Sequence, residues 1–124
     1  SRWGRKSWSQ WPHLVVRVGD SLTSPVNMAA SAAGLERSIA GWVPHFSAIA
    51  PILAGSDLLA TLPSIAMAET LQPYRLDSRA VPFPIAPLPH AMIWSSRRST
   101  DPEMTWLRDR LRPIVKSKFT DLAG

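Results

Sequence analysis

A chain of 124 residues with 45% hydrophobic content suits one modest domain and is too apolar for a disordered tail. The lack of cysteine excludes disulfides, thiolate metal sites and cysteine nucleophiles. A net charge of +5 permits an acidic partner, but the basic residues collect at the two ends, Arg2 to Lys6 and Arg108 to Lys118, and read as solvated faces rather than a nucleic-acid stripe. No apolar run approaches the ~20 residues of a membrane span, and no signal-peptide pattern opens the chain. The first residue is serine, so a fragment or a processed product is expected.

Residues 1–12 read as a leader or packing segment and hold Trp3, Trp8 and Trp11, half of the six tryptophans. His13 to Val18 is a β-branched strand candidate that Gly19-Asp20 breaks. A helix follows, with Ser24 as N-cap, Pro25 at the first helical position, a run of alanines, and Gly34 as a left-handed terminator. Arg37 to Val43 is a second strand, weakened by Gly41. Pro44 keeps Val43 extended, and a helix is expected from Phe46 or Ser47 to Ala54 with Pro51 as its defect. Leu58 to Leu62 reads as a buried parallel strand, and Ile65 to Thr70 as a short helix capped by Ser64.

Tyr74 to Arg79 has extended character. Residues 81–90 contain four prolines and read as a stiff crossover, after which Ala91 to Ser95 resumes a strand. The last helix starts on Asp101 as N-cap, with Pro102 and Glu103 in its first turn. Met104, Leu107, Leu111 and Ile114 recur at helical spacing and are expected to face a core, while Pro113 is expected to kink or interrupt the helix. The order of elements predicts an α/β fold, a mainly parallel sheet flanked by helices.

The chemistry-bearing residues form no catalytic pattern. His13, His45 and His90 lack metal-ligand spacing, and no nucleophile elbow or phosphate-binding glycine loop is present. Asp101 and Glu103 are helix-start residues, and Asp20 and Asp57 are turn residues. No enzyme, cofactor or metal is expected. Binding fits better, because ligands of parallel α/β folds sit at the C-terminal strand edges. Pro44, His45, Phe46 and Ser47 occupy one such transition, where His45 can donate to an anion and Phe46 can cover an apolar portion. The alternative use of the same residues is Phe46 in the core and His45 as a surface or capping group. Ser21, Thr23 and Ser24 occupy a second transition, and Thr61 lies near the next strand end.

VPHFSAIAPILAGSDLLATLPSIAMAE, from Val43 to Glu69, and PFPIAPLPHAMIWSSRRSTDPEMTWLRDRL, from Pro82 to Leu111, carry a resemblance to a known family. With HLVVRVGD, from His13, they resemble the C-terminal effector-binding region of LysR-type transcriptional regulators, particularly the subgroup with the nodulation regulators. That resemblance implies a two-lobed, periplasmic-binding-protein-like domain that takes a small molecule in a cleft. Residues 13–80 would form the second lobe, 81–90 the crossover, 91–118 the return strand and terminal helix of the first lobe, and 119–124 a tail. The early part of the effector domain and a winged helix-turn-helix would precede Ser1, so any DNA contact would be made by that absent N-terminal module. The full-length protein would be a cytoplasmic homodimer or tetramer with no membrane partner.

By the same resemblance, His45, Phe46 and Ser47 match the second-lobe turn of the cleft, with Thr23, Ser24 and Thr61 as further candidates. An effector bearing a carboxylate, a ring or both would suit them. The competing readings are a solute-binding protein fragment and a structural protein-interaction module.

Overall fold

The computed structural model describes residues 2–17, 19, 24–67 and 70–123, with the backbone alone for 120–123. The chain divides into two compact units, Ser1–Pro87 and Leu88–Gly124.

The first unit is built on two parallel strands, β1 (His13–Val16) and β2 (Ile39–Val43), paired in the register Leu14↔Gly41 to Val16↔Val43. A register irregularity separates His13 from Leu14. The expected third strand over Leu58 to Leu62 reduces to one parallel bridge, His13↔Leu59. Its two backbone bonds run from Leu14 N to Leu59 O (2.8 Å) and from Leu59 N to Pro12 O (3.0 Å). Beyond it Thr61 is tied by its side chain to Trp8, and Pro63 has no N–H to donate. The ladder ends there.

Helices cover both faces of this sheet, as the parallel pattern requires. On one face Leu14 packs with Ile49 and Ala50 of α3 (Ile49–Ala54) and Met67 of α4 (Ser64–Met67). The N-terminal half of the expected 46–54 helix is a 3-10 turn, Phe46–Ala48, so Pro51 falls in the first turn of α3, where a missing N–H is harmless. On the other face Trp8, Ala30 and Phe83 form a second buried cluster. Ala30 belongs to α2 (Pro25–Ala32), capped by Ser24 and closed by Gly34 at φ 75°. The bonds Leu35 N to Ala30 O and Gly34 N to Ser31 O satisfy its last carbonyls.

Trp8 sits on α1 (Arg5–Gln10), a helix within the segment read as leader or packing. Six residues do not hold a helix alone. The buried indole holds it, donating from Nε1 to Thr61 Oγ1 at 3.0 Å and meeting Phe83 edge-on at 4.8 Å. Trp3 donates to Ala80 O at 2.8 Å, which ties residues 76–80 to the start of the chain. That stretch is irregular rather than extended as a strand: Tyr74 closes a 3-10 turn (Gln72–Tyr74) and Arg75 reverses the chain in the left-handed region, φ 54° and ψ 41°.

The second unit consists of a 3-10 turn, Ser96–Arg98, and the long helix α5 (Pro102–Ala123). Asp101 caps α5 as expected, accepting from Glu103 N at 2.9 Å. Arg98 clamps the cap at 2.9 Å, and these donors hold the Asp101 carboxyl below its ordinary range. Pro113 lies inside α5 without ending it. Two expectations fail here. Residues 91–95 form no strand, because no described strand lies alongside to pair with them, and Ile93 is 88% exposed. Of the expected core-facing stripe, Leu107, Leu111 and Ile114 lie exposed and Met104 is half-buried, and none of the described residues from 88 to 119 is buried.

Candidate functional site

Because β1 and β2 run parallel, their C-terminal ends lie at the same end of the sheet, where Arg17 N still bonds Val43 O at 2.9 Å. Each strand leaves that edge toward a helix, β1 through residues 17–24 into α2 and β2 through Pro44 and His45 into the 3-10 turn. Of the first exit, Ser24 is described, while Asp20, Ser21 and the candidate Thr23 lie outside the described residues.

The Ser24 hydroxyl accepts from Asn27 N at 3.3 Å, satisfying one of the orphan donors of α2. It also receives Arg37 Nη2 at 3.4 Å, and Arg37 Nε donates to Asn27 Oδ1 at 2.7 Å. A guanidinium thus stands at the start of α2, beside the positive end of the helix dipole. That placement raises the local positive potential rather than neutralising it. Burial pulls the Arg37 guanidinium below the ordinary arginine value, yet arginine keeps its charge across the accessible pH range. Arg37 and Asn27 were not singled out from sequence. Their signal, a cation ten positions from an amide, has no fixed spacing to recognise.

At the second exit His45 precedes the 3-10 turn with extended backbone, φ −135° and ψ 142°, and its ring caps nothing; the backbone carbonyl accepts from Ala48 N instead. His45, Phe46 and Ser47 are all exposed, Phe46 by 38%. The core position beneath this turn is filled by Ile49, fully buried. Of the two uses open to Phe46, the structure leaves its ring at the surface. An imidazole, a phenyl ring and a hydroxyl therefore stand on three consecutive exposed positions.

Thr61 is placed differently. It is half-buried, and its Oγ1 accepts the Trp8 indole N–H, so its first commitment is to packing α1 on the sheet. Among the described residues no hydrogen bond or ring contact joins Ser24, Thr61 and the His45–Ser47 turn to one another. The histidines are equally separate in their surroundings. His13 lies against Trp8, and His90 bonds Leu88 O and stacks near Phe119. Among the described residues no three His, Cys, Asp or Glu side chains gather to hold a metal, and no helix is long and apolar enough to cross a membrane.

Comparison with known proteins places this geometry. The family model described as the LysR substrate binding domain matches residues 4–115. The HTH-type transcriptional activator NagR of Ralstonia sp is 30% identical over 103 residues, 83% of this chain and 34% of that protein. Nodulation protein D 2 of Sinorhizobium fredii is 28% identical over 107 residues, 86% of this chain and 34% of the relative. The HTH-type transcriptional activator NahR of Pseudomonas putida is 34% identical over 89 residues, 71% and 28% of the two chains. The chain spans about a third of the length of these relatives. The match begins at Gly4, so α1 and Trp8 lie inside the family domain rather than ahead of it. The family model covers nearly the whole chain, whose parallel strands carry helices on both faces, and the chain belongs to the LysR substrate binding domain family.

Proposed function

We propose that the chain senses a small molecule for a LysR-type DNA-binding transcriptional regulator, with His45, Phe46 and Ser47 contacting the effector. The observation that carries this reading is the exposed His45–Ser47 turn at the end of β2, at the same sheet edge as the β1 exit. An exposed imidazole suits a carboxylate, and the adjacent ring suits an apolar or aromatic portion. Ser24 and Thr23 extend the site at the first exit, and the Arg37 charge beside Ser24 favours an anionic group there. Thr61 serves as a more remote wall. The reading assigns 13–80 to one lobe, 81–90 to the crossover, and 91–118 to the other lobe, whose remaining parts cover the apolar stripe of α5. Effector binding then shifts the DNA-binding module of a cytoplasmic dimer or tetramer.

Titration of the full-length protein with benzoate, cyclohexanecarboxylate and phenol tests the contact residues. His45→Ala is expected to weaken the two carboxylates by about tenfold or more, as loss of a charge-assisted hydrogen bond predicts. Phe46→Ala is expected to weaken benzoate and phenol more than the saturated ring. Unchanged affinities in both variants refute the site.

A further inference from the structure

The most enclosed titratable group of the first unit plays no part in the proposed site. His13 is 0% exposed at the start of β1, where α1, β2 and the Leu59 bridge converge. Its Nε2 lies 2.7 Å from Trp8 O. A carbonyl only accepts, so Nε2 carries the proton and donates, and the neutral ring is left with a bare Nδ1. That nitrogen has no hydrogen-bond partner among the described residues. The imidazole face is packed edge-on against the Trp8 indole at 4.7 Å, and the indole in turn against Phe83 at 4.8 Å.

We propose that His13 is an acid-sensitive latch: neutral, it pins α1 to the sheet through Trp8 O, and protonation at Nδ1 releases α1 and opens the Trp8–Phe83 cluster. A second N–H on the ring would be buried with no acceptor among the described residues, which is costly. Among the described residues, the groups against His13 include no carboxylate to meet the new charge. α1 contributes Trp8, β2 contributes Ile39, the residue before β2 contributes the Ser38 carbonyl already bonded to His13 N, and the third segment contributes Leu59. The charged neighbour whose field reaches the ring is Arg37, of the same sign as the imidazolium. Burial first, and Arg37 after it, oppose protonation; the bond to Trp8 O works the other way and is outweighed.

The sign follows. The folded pKa lies below the ordinary value of 6.5, so the native state binds fewer protons than the open one. The latch is fully closed above that value and weakens as pH falls through it. Opening gains at most about tenfold per pH unit until the folded pKa is reached.

Hydrogen exchange of the 124-residue chain, corrected for intrinsic rates, tests this for α1 amides between about pH 7.5 and pH 5. Wild-type protection in α1 is expected to be level above 6.5 and to fall by up to about tenfold per unit below it. His13→Gln keeps an amide donor for Trp8 O and does not titrate, so its α1 protection is expected to stay level throughout. A level wild-type profile, or a His13→Gln profile with the wild-type slope, overturns the latch. Should His13→Gln fail to fold, ring ¹⁵N spectra of the wild type decide. The neutral Nε2–H form persisting until α1 protection is lost supports the latch. A ring that titrates near 6.5 while α1 stays protected overturns it.

Discussion

A buried indole removes roughly 150–250 Å² of surface from water, and Trp8 does so from a six-residue helix near the start of the chain. Trp8→Ala is expected to cost about 3–5 kcal/mol, measured by urea unfolding, because it removes the packing of Phe83 and Ala30 and the partner of Thr61 together. Arg75 works in the opposite sense. It is the non-glycine residue with positive φ among the described residues, and it pairs Leu76 N with Leu71 O across the reversal. A side chain in that region costs about 1–2 kcal/mol, part of which glycine returns as extra freedom of the unfolded chain. Arg75→Gly is therefore expected to leave stability unchanged or raise it by up to about 1 kcal/mol in the same assay. Neither role was legible in the sequence. Trp8 lies in a segment without periodicity, and nothing about an arginine announces left-handed backbone. The caps were legible, because Ser24-Pro25 and Asp101-Pro102 pair an oxygen acceptor with a residue that has no N–H to satisfy.

The elements that depend on local chemistry alone, α2 and α5, begin where the sequence places them. Those that depend on a neighbour do not all form. Leu58 to Leu62 carries a buried-strand composition, yet the side-chain bond of Thr61 to Trp8 and the proline at 63 leave it one bridge. Residues 91–95 carry strand composition with no described partner, and composition does not reveal whether a partner exists. Gly41 shows the same dependence within β2. An added Cβ there would meet Leu14 Cδ1 at 4.0 Å, an ordinary contact, and its backbone does not lie in the left-handed region. Gly41→Ala is expected to raise stability by about 0.4–1 kcal/mol, chiefly by restricting the unfolded chain, with thermal unfolding as the check. The candidate turn was the most legible part of the site. Val43-Pro44 fixes the strand end and exposes the next three side chains, whereas the Arg37–Ser24 pairing depends on how the chain folds back and has no local signature.

Across the whole molecule the two units differ in what holds them. The first has a buried cluster on each face of its sheet; the second has no buried residue among those described, and its contacts include the Arg98–Asp101 clamp and Arg108, which stacks 4.2 Å from the Trp94 ring and bonds Ser99 O at 2.7 Å. Polar clasps of this kind at the surface contribute little to global stability. Amides of α5 are accordingly expected to exchange at least about a hundredfold faster than those of β1, relative to intrinsic rates, in the 124-residue chain. Equal protection of the two would mean that α5 acquires a covering. The irregularity between His13 and Leu14 has a further consequence, for how the chain finds its fold. The two faces of β1 meet unlike surroundings, rings around His13 and aliphatic groups around Leu14. A slip of one residue against β2 would drive an imidazole into the aliphatic cluster and a leucine beneath the indole. The native pairing is thereby set apart from its nearest alternative, because a misaligned sheet would leave a polar ring without its carbonyl.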